Sequence, residues 1–542
     1  MANPRHETPL RNGTFRGPFS KRFALKVVRG HTHLTTIQHG HYDPREMKRA
    51  ASGLLPMIAI DRSNSQPLHR QIYNSLRAAI VDGRLRPGQR IPSTRVLAAE
   101  TGVSRFPVLN AYAQLLAEGY LQSRIGAGTV VSYSLPEQQS VVLPTRNGTV
   151  APRIGPRPVA RRCSLLPPKE ELPWMTHFGA FRVGQVAAEQ FPWQVWSAIV
   201  SSNARNLDIA SSRYGQVMGH EGLRSAIANY LRTARSLRCE ADQILIVNGS
   251  QQALEITARV LFNPGDRVWV EDPTYRLARD VFIVNGCHPI PIPVDAEGMD
   301  IRAGIRKCRK ARAAFVTPSH QFPLGVTMSA ARRMQLADWA QNSGAWIIED
   351  DYDSEYRYES LPIASLQGLD PYSRVIYVGT FSKVMFPALR LGYLVIPPDL
   401  IDKFFVMRRV MDLGAPTLPQ QVLADFIEEG HFARHIRRMR VHYGKLRRVL
   451  FENLREHLGD LVEVVGDDAG MHLTVMLRGK RVDEEISRRA AAHKLSLWPL
   501  SRTYMELPQQ GLILGFGGTT AREIPNAVAK LRGLLTEKAR AA

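Results

Sequence analysis

Lys383 stands in the segment Thr380-Phe381-Ser382-Lys383-Val384-Met385-Phe386-Pro387-Ala388-Leu389-Arg390, which sets one amine beside two hydroxyl residues and a guanidinium seven positions on. An aldehyde cofactor that carries a phosphate needs these groups. An amine forms the Schiff base, and hydroxyls with a guanidinium hold the dianion. Most lysines are solvated surface charges, but this one follows the apolar run Arg374-Val375-Ile376-Tyr377-Val378, which reads as a buried strand. A second apolar run, Ala345-Trp346-Ile347-Ile348, ends in Glu349-Asp350-Asp351-Tyr352. In a parallel sheet the two strand ends bring Asp350 and Lys383 to the edge where α/β proteins bind ligands. An aspartate placed there pairs with a protonated pyridine nitrogen. Lys383 and Asp350 together read as a pyridoxal 5'-phosphate site.

The elements that must position this pair are legible around it. Ile244–Val247, Arg267–Val270, Ala313–Val316, Ala345–Ile348 and Val375–Val378 are short apolar runs, and Gln251–Leu261, Ala330–Asn342 and Gln420–Glu429 have helical patterns between and after them. That alternation predicts an α/β domain around a mostly parallel sheet. A long helix reads over Phe432–His457, followed by strands at Met471–Leu477 and Gly511–Gly515.

Upstream lies a different pattern. Leu68, Ile72, Leu76 and Ile80 recur at helical spacing, Gly83 stops the run and Pro87-Gly88 makes a turn. Ser93 caps a helix over Thr94–Thr101, Gly102-Val103 turns, and Ser104 caps a second helix to about Glu118. Val108, Tyr112, Leu115 and Leu116 form its expected buried face, and Pro107 is tolerated in its first turn. Tyr120–Arg124 and Thr129–Val131 flank a glycine-containing tip, Ile125-Gly126-Ala127-Gly128. Helix, turn, helix, hairpin is a winged helix-turn-helix. Eight arginines here, Arg70, Arg77, Arg84, Arg86, Arg90, Arg95, Arg105 and Arg124, face only Asp82, Glu100 and Glu118. Charge and topology together favour double-stranded DNA as the partner over a merely solvated basic face.

The whole chain of 542 residues carries 71 Lys and Arg against 49 Asp and Glu, a formal charge of +22, which suits a polyanionic partner. An apolar fraction of 44% can build real cores, and no apolar run approaches the ~20 residues of a membrane helix. The basic N-terminus has no apolar segment after it, so no secretory signal is expected. Cys163, Cys239, Cys287 and Cys308 lack metal or redox spacing and read as reduced thiols of a cytoplasmic protein. No metal site is expected. Residues 1–55 read as a basic disordered extension, with Met47 and Met57 as alternative starts; 56–134 as the DNA-binding domain; 135–172, rich in proline and arginine, as an extended linker; and 173–542 as the cofactor domain.

Five segments carry a family resemblance: Val247-Asn248-Gly249-Ser250-Gln251-Gln252-Ala253-Leu254, Glu271-Asp272-Pro273-Thr274-Tyr275, Thr317-Pro318-Ser319-His320-Gln321-Phe322-Pro323, Glu349-Asp350-Asp351-Tyr352-Asp353-Ser354-Glu355, and the Lys383 segment. In that order they resemble the fold-type I aminotransferases. With the winged helix before them they resemble the MocR subfamily of GntR regulators over roughly residues 56–534. The resemblance implies a fold-type I large domain with a small C-terminal α+β domain, preceded by the winged helix. It implies that Arg95 and Arg105 contact DNA, that Ser104 meets a phosphate and that Gly126 enters the minor groove; Phe106 and Pro107 depart from the small polar residues common there.

For the cofactor, the resemblance gives Lys383 the Schiff base, Asp350 the pyridine nitrogen and Tyr352 the ring hydroxyl. Glu349 and Asp351 are alternatively helix-capping or solvated acids. Arg390, Thr380 and Ser382 would bind phosphate with the backbone amides of Ser250 and Gln251, Gly249 allowing close approach. Tyr275 would line the ring, and Tyr214 would reach the phosphate of a partner subunit, so a homodimer is implied, its winged heads crossing onto partner domains. His320 and Gln321 replace the asparagine that many aminotransferases place near the ring hydroxyl. On the late strand Gly511–Phe516 a leucine stands where the substrate-carboxylate arginine is expected, with Arg502 in the preceding loop as its possible substitute. The implied function is a transcription regulator responsive to pyridoxal phosphate or to an amine or amino acid condensing with it. The alternative is an active aminotransferase with a DNA-binding appendage.

Overall fold

The computed structural model describes residues 58, 60–124, 128–135, 157–166, 178–209, 213–358, 364–466 and 468–537. The N-terminal extension, most of the linker and Gly126 lie outside the described residues. The chain divides into two units, 1–155 and 156–542.

In the first unit, Ile72, Leu76 and Ile80 line the buried face of α1 (Leu68–Val81). Ser93 accepts a hydrogen bond from the Val96 amide and starts α2 (Thr94–Thr101), which Gly102 ends at φ 66°. Helix α3 runs Arg105–Ala117. Ser104 occupies its N-cap position in extended conformation, but its side chain makes no capping bond. Val108, Tyr112 and Leu115 are buried as the spacing predicts, whereas Leu116 is exposed, one step off the stripe. Strands β1 (Leu121–Arg124) and β2 (Gly128–Val131) form the antiparallel hairpin. A third strip joins it: Ile91 donates to the Thr129 carbonyl and Val131 to that of Gln89.

The second unit is built on an eight-stranded sheet. Its strands are β3 (Ile244–Val247), β4 (Arg267–Asp272), β5 (His288–Asp295), β6 (Gly298–Met299), β7 (Ala313–Val316), β8 (Trp346–Asp351), β9 (Val375–Thr380) and β10 (Gly392–Val395). They lie in the order β3-β10-β9-β8-β7-β4-β5-β6. The five from β9 to β5 are parallel, and β10 runs against both its neighbours. Strands β3, β7, β9 and β10 are buried along their whole length because both faces are covered, whereas β5 near the sheet edge is mostly not buried. Ile244 and Ile246 enter one core with the long helix α4 (His431–Leu458), while Leu245 and Val247 enter another on the opposite face. A smaller antiparallel sheet follows, in the order β11 (Val462–Val465), β12 (His472–Leu477), β14 (Gly511–Gly515), β13 (Trp498–Pro499). Part of the proline-rich stretch departs from an extended linker: Arg161–Ser164 forms one 3-10 turn. Among the described residues no helix is long and apolar enough to cross a membrane, and Cys163, Cys239, Cys287 and Cys308 are all free.

Candidate functional site

Parallel pairing of β8 with β9 sets Asp350 opposite Val378 and Asp351 opposite Gly379, so both strands deliver their ends to one edge. Strand alternation then separates three consecutive acids. Glu349 accepts from the amides of Leu366 and Gln367 at 2.9 and 2.8 Å and caps a short helix. Asp351 is clamped by Arg235 at 2.7 Å and by the Tyr377 hydroxyl. Asp350 is left between them, 5% exposed, with a buried Oδ1 that has no partner. Burial, then the charges of Asp351 and Asp353, push its pKa up to about 7, and Lys383 opposes this. Burial depresses the Lys383 pKa, while Asp353 and Asp350 pull it back up.

The Lys383 amine donates to the Gly184 carbonyl at 3.3 Å. Gly184 has φ 77°, and a Cβ there would sit 2.6 Å from the amine, so the loop can cross this closely only as glycine. Gly184 is missing from the sequence reading, since a lone glycine in a loop carries no signal of what it crosses.

The helix Ser250–Leu261 begins after Gly249, whose φ is 88°. The first amides of a helix have no intrahelical partner and favour an anion. Arg390 donates to the Asn248 carbonyl at 2.9 Å, and its guanidinium would lie 3.2 Å from a Cβ on Gly249. Thr380 accepts from the Ser382 amide at 3.2 Å, which shapes the turn into Lys383. Gln251 ties the helix start to the Leu277 carbonyl at 2.9 Å. Tyr275 is close enough to feel the charges of both Asp350 and Arg390, although burial is the main influence on its hydroxyl. Its ring packs edge-on against Phe322 at 5.8 Å.

His320 places Nδ1 2.9 Å from the Tyr352 hydroxyl and 3.1 Å from Asp353, with Nε2 buried and unpartnered. Gln321 instead ties its own loop to the segment after β4, donating to the Pro273 carbonyl at 2.8 Å and accepting from the Leu324 amide at 3.0 Å. Of the pair, only His320 therefore reaches Tyr352. His320, Asp353 and His472 lie close enough to hold a metal, their ligating atoms within 4.8 Å of one another. Hydrogen bonds account for the cluster: His472 Nε2 meets the Pro323 carbonyl at 3.0 Å, and burial lowers the His472 pKa to about 3.

Two sequence expectations change. Ile513, not a leucine, is the residue of the late strand that turns toward the site. It joins Phe322 and Trp498, against which Tyr275 and Tyr352 pack, while Leu512 and Leu514 enter the core on the other face. Arg502 does not substitute for a clamp: it is bound to Glu484 at 3.0 Å, half exposed. Tyr214 is 89% exposed, and among the described residues no hydrogen bond or ring contact joins it to Lys383 or Arg390. On the winged helix Arg95, Ser104 and Arg105 are all exposed, and Arg105 Nε donates to Thr94 at 3.1 Å, tying the start of α3 to α2.

The donor set fits a pyridine ring bearing a phosphate. There is an unpartnered buried carboxylate for the ring nitrogen, a helix start with an arginine for the phosphate, and an amine held at the Gly184 carbonyl. Fold and site thus define a winged helix-turn-helix protein with an aminotransferase-type cofactor domain. Residues 186–531 match the family of class I and II aminotransferases, and residues 68–131 match the gntR family of bacterial regulatory proteins. The probable rhizopine catabolism regulatory protein MocR of Rhizobium meliloti is 39% identical over 88% of this chain and 95% of its own length. The pyridoxine biosynthesis transcriptional regulator PdxR of Corynebacterium glutamicum is 30% identical over 85% and 94%. Among solved structures, a kynurenine aminotransferase of Pyrococcus horikoshii, in complex with PMP, is similar at 28% identity and TM-score 0.63, covering 68% of this chain and 93% of that one. The chain belongs to the MocR subfamily of GntR-type transcriptional regulators.

Proposed function

We propose that this regulator binds pyridoxal 5'-phosphate at Lys383 and reads an operator as a homodimer. Its DNA affinity responds to the cofactor or to a small amine or amino acid that joins it. The observation that carries the reading is the buried, unpartnered Asp350 carboxylate beside the Lys383 amine, in one chain with a winged helix. Bound there, the cofactor supplies a carbonyl that takes up amines and a ring that acts as an electron sink. The chain's own groups do the rest. Asp350 holds a proton at the ring nitrogen. Tyr352, oriented by His320, meets the ring hydroxyl. The amides of Ser250 and Gln251, with Arg390, Thr380 and Ser382, hold the phosphate. Exposed Tyr214 completes the partner subunit's phosphate site. Arg95, Ser104, Arg105 and Gly126 face the duplex.

Ile513 at the carboxylate position weighs against turnover as an aminotransferase, because a bidentate clamp supplies both affinity and orientation. Operator titrations with and without pyridoxal phosphate, together with the solution mass, test the reading. A dimer whose operator affinity or DNA bending changes with cofactor supports it. A monomer, or DNA binding indifferent to cofactor and amines alike, overturns it.

A further inference from the structure

Ile513 pairs across the small sheet with Thr474 on one side and Trp498 on the other, so these three side chains share a face. That face is hung on the cofactor edge of the large domain: Thr474 and His472 both bond the Pro323 carbonyl, at 2.6 and 3.0 Å. Next to Pro323, Phe322 lies 5.4 Å from both Trp498 and His472, 5.8 Å from Tyr275 and 6.2 Å from Tyr352. The wall that a ligand at Lys383 meets is therefore aromatic and aliphatic, with Val183 completing it.

No strand residue of that face carries a positive charge. His472 is the buried titratable group of that face, and its low pKa keeps it neutral; Glu463, paired with Met476, is exposed. The nearby arginines are engaged elsewhere: Arg502 with Glu484 at 3.0 Å, Arg276 with Asp280 at 3.6 Å and Arg235 with Asp351 at 2.7 Å. Asp350 and Asp353, by contrast, are the two charges that act on Lys383. A carboxylate brought here loses its water, gains no cation and meets the charge of Asp353, while Asp350 is taken up by the ring nitrogen. An amine entering in its neutral form has no such charge to desolvate.

We propose that the ligand which exchanges onto the Lys383-bound cofactor is a primary amine with an apolar body and no α-carboxylate. The proposal rests on the cofactor reading above and deepens it. The exchange is redox-neutral: the incoming nitrogen takes the carbonyl carbon from the Lys383 nitrogen. Lys383 leaves as a free amine, with the two hydrogens the ligand gives up. Its apolar body then lies on Phe322, Trp498 and Ile513.

The test uses the full-length protein loaded with pyridoxal phosphate and two matched pairs, 2-phenylethylamine against phenylalanine and 3-methylbutylamine against leucine. Members of a pair differ by one carboxylate. The shift of the cofactor's absorption gives each dissociation constant, and calorimetry checks it independently. Each amine is expected to bind at least tenfold tighter than its amino acid. Ile513→Arg is expected to narrow or reverse that preference, and Ile513→Met to keep it. The wild-type comparison stands even where Ile513→Arg, a buried charge, fails to fold. Amino acids binding as tightly as amines, or no binding by either, would overturn the proposal while leaving the cofactor site intact. Absence of any cofactor spectrum would overturn the site reading and this proposal with it.

Discussion

His320 Nδ1 stands 2.9 Å from the hydroxyl of Tyr352 and 3.1 Å from Asp353. With the proton on Nδ1, facing the carboxylate, the imidazole donates to Asp353 and to the tyrosine oxygen, a tautomer assigned from this network. The tyrosine's own hydrogen is then free to point at the cofactor ring oxygen. His320→Leu removes this orientation and leaves Asp353 buried without its donor. Pyridoxal phosphate affinity is expected to fall about tenfold, on the order of 1.4 kcal/mol. His320→Asn, which keeps a donor, recovers part of it. Fluorescence titration of the cofactor reads both, and an unchanged affinity in His320→Leu rejects the role.

Asp350 gives the cofactor-free protein a defined pH response. Its folded pKa of about 7 lies above the ordinary carboxylate range, so in the folded state it holds a proton that the unfolded chain has lost. Stability from this group is present below about pH 4 and is lost as pH rises toward 7. Glu271, Glu349 and Glu355, also raised to about 7 mainly by burial, add in the same direction. Asp350→Asn is therefore expected to melt above wild type at pH 8 and close to it at pH 4, without cofactor. With cofactor the order at pH 8 reverses, because a pyridinium gives the wild-type aspartate its counter-charge. Thermal melts at both pH values decide it.

Much of this site is legible in the sequence, for physical reasons that differ by residue. Lys383 and Asp350 end short apolar strands, and strands buried on both faces announce themselves by composition alone. The same uniformity hides Ile513. In Gly511-Leu512-Ile513-Leu514-Gly515 every residue is apolar or glycine, so the sequence pattern does not say which phase faces the cofactor. The aromatic wall of Phe322 and Trp498 joins residues far apart in the chain and carries no local periodicity. Glu349 and Asp351 look alike beside Asp350 until the helix start at Leu366 and the guanidinium of Arg235 claim them.

On the winged helix, Arg105→Ala is expected to weaken operator binding about five- to a hundredfold, through both a lost DNA contact and its bond to Thr94. The slope of affinity against salt should also shrink, since fewer counterions are released. Equal affinity and slope for mutant and wild type across salt concentrations would refute this docking.

Phe106 is 70% exposed one position after Arg105, with Leu109 42% exposed one turn on. An exposed aromatic at the start of such a helix costs solubility, and apolar side chains there match the 5-methyl group of thymine in the major groove. Replacing operator thymines by uracil, one at a time, is expected to reduce wild-type affinity a few-fold, on the order of 1 kcal/mol, at the contacted position. Phe106→Ala should lose that sensitivity while keeping its salt slope, because no phosphate contact is removed. A variant that still distinguishes thymine from uracil, or whose salt slope changes instead, would place Phe106 on the backbone and leave sequence reading to Arg95 and Arg105.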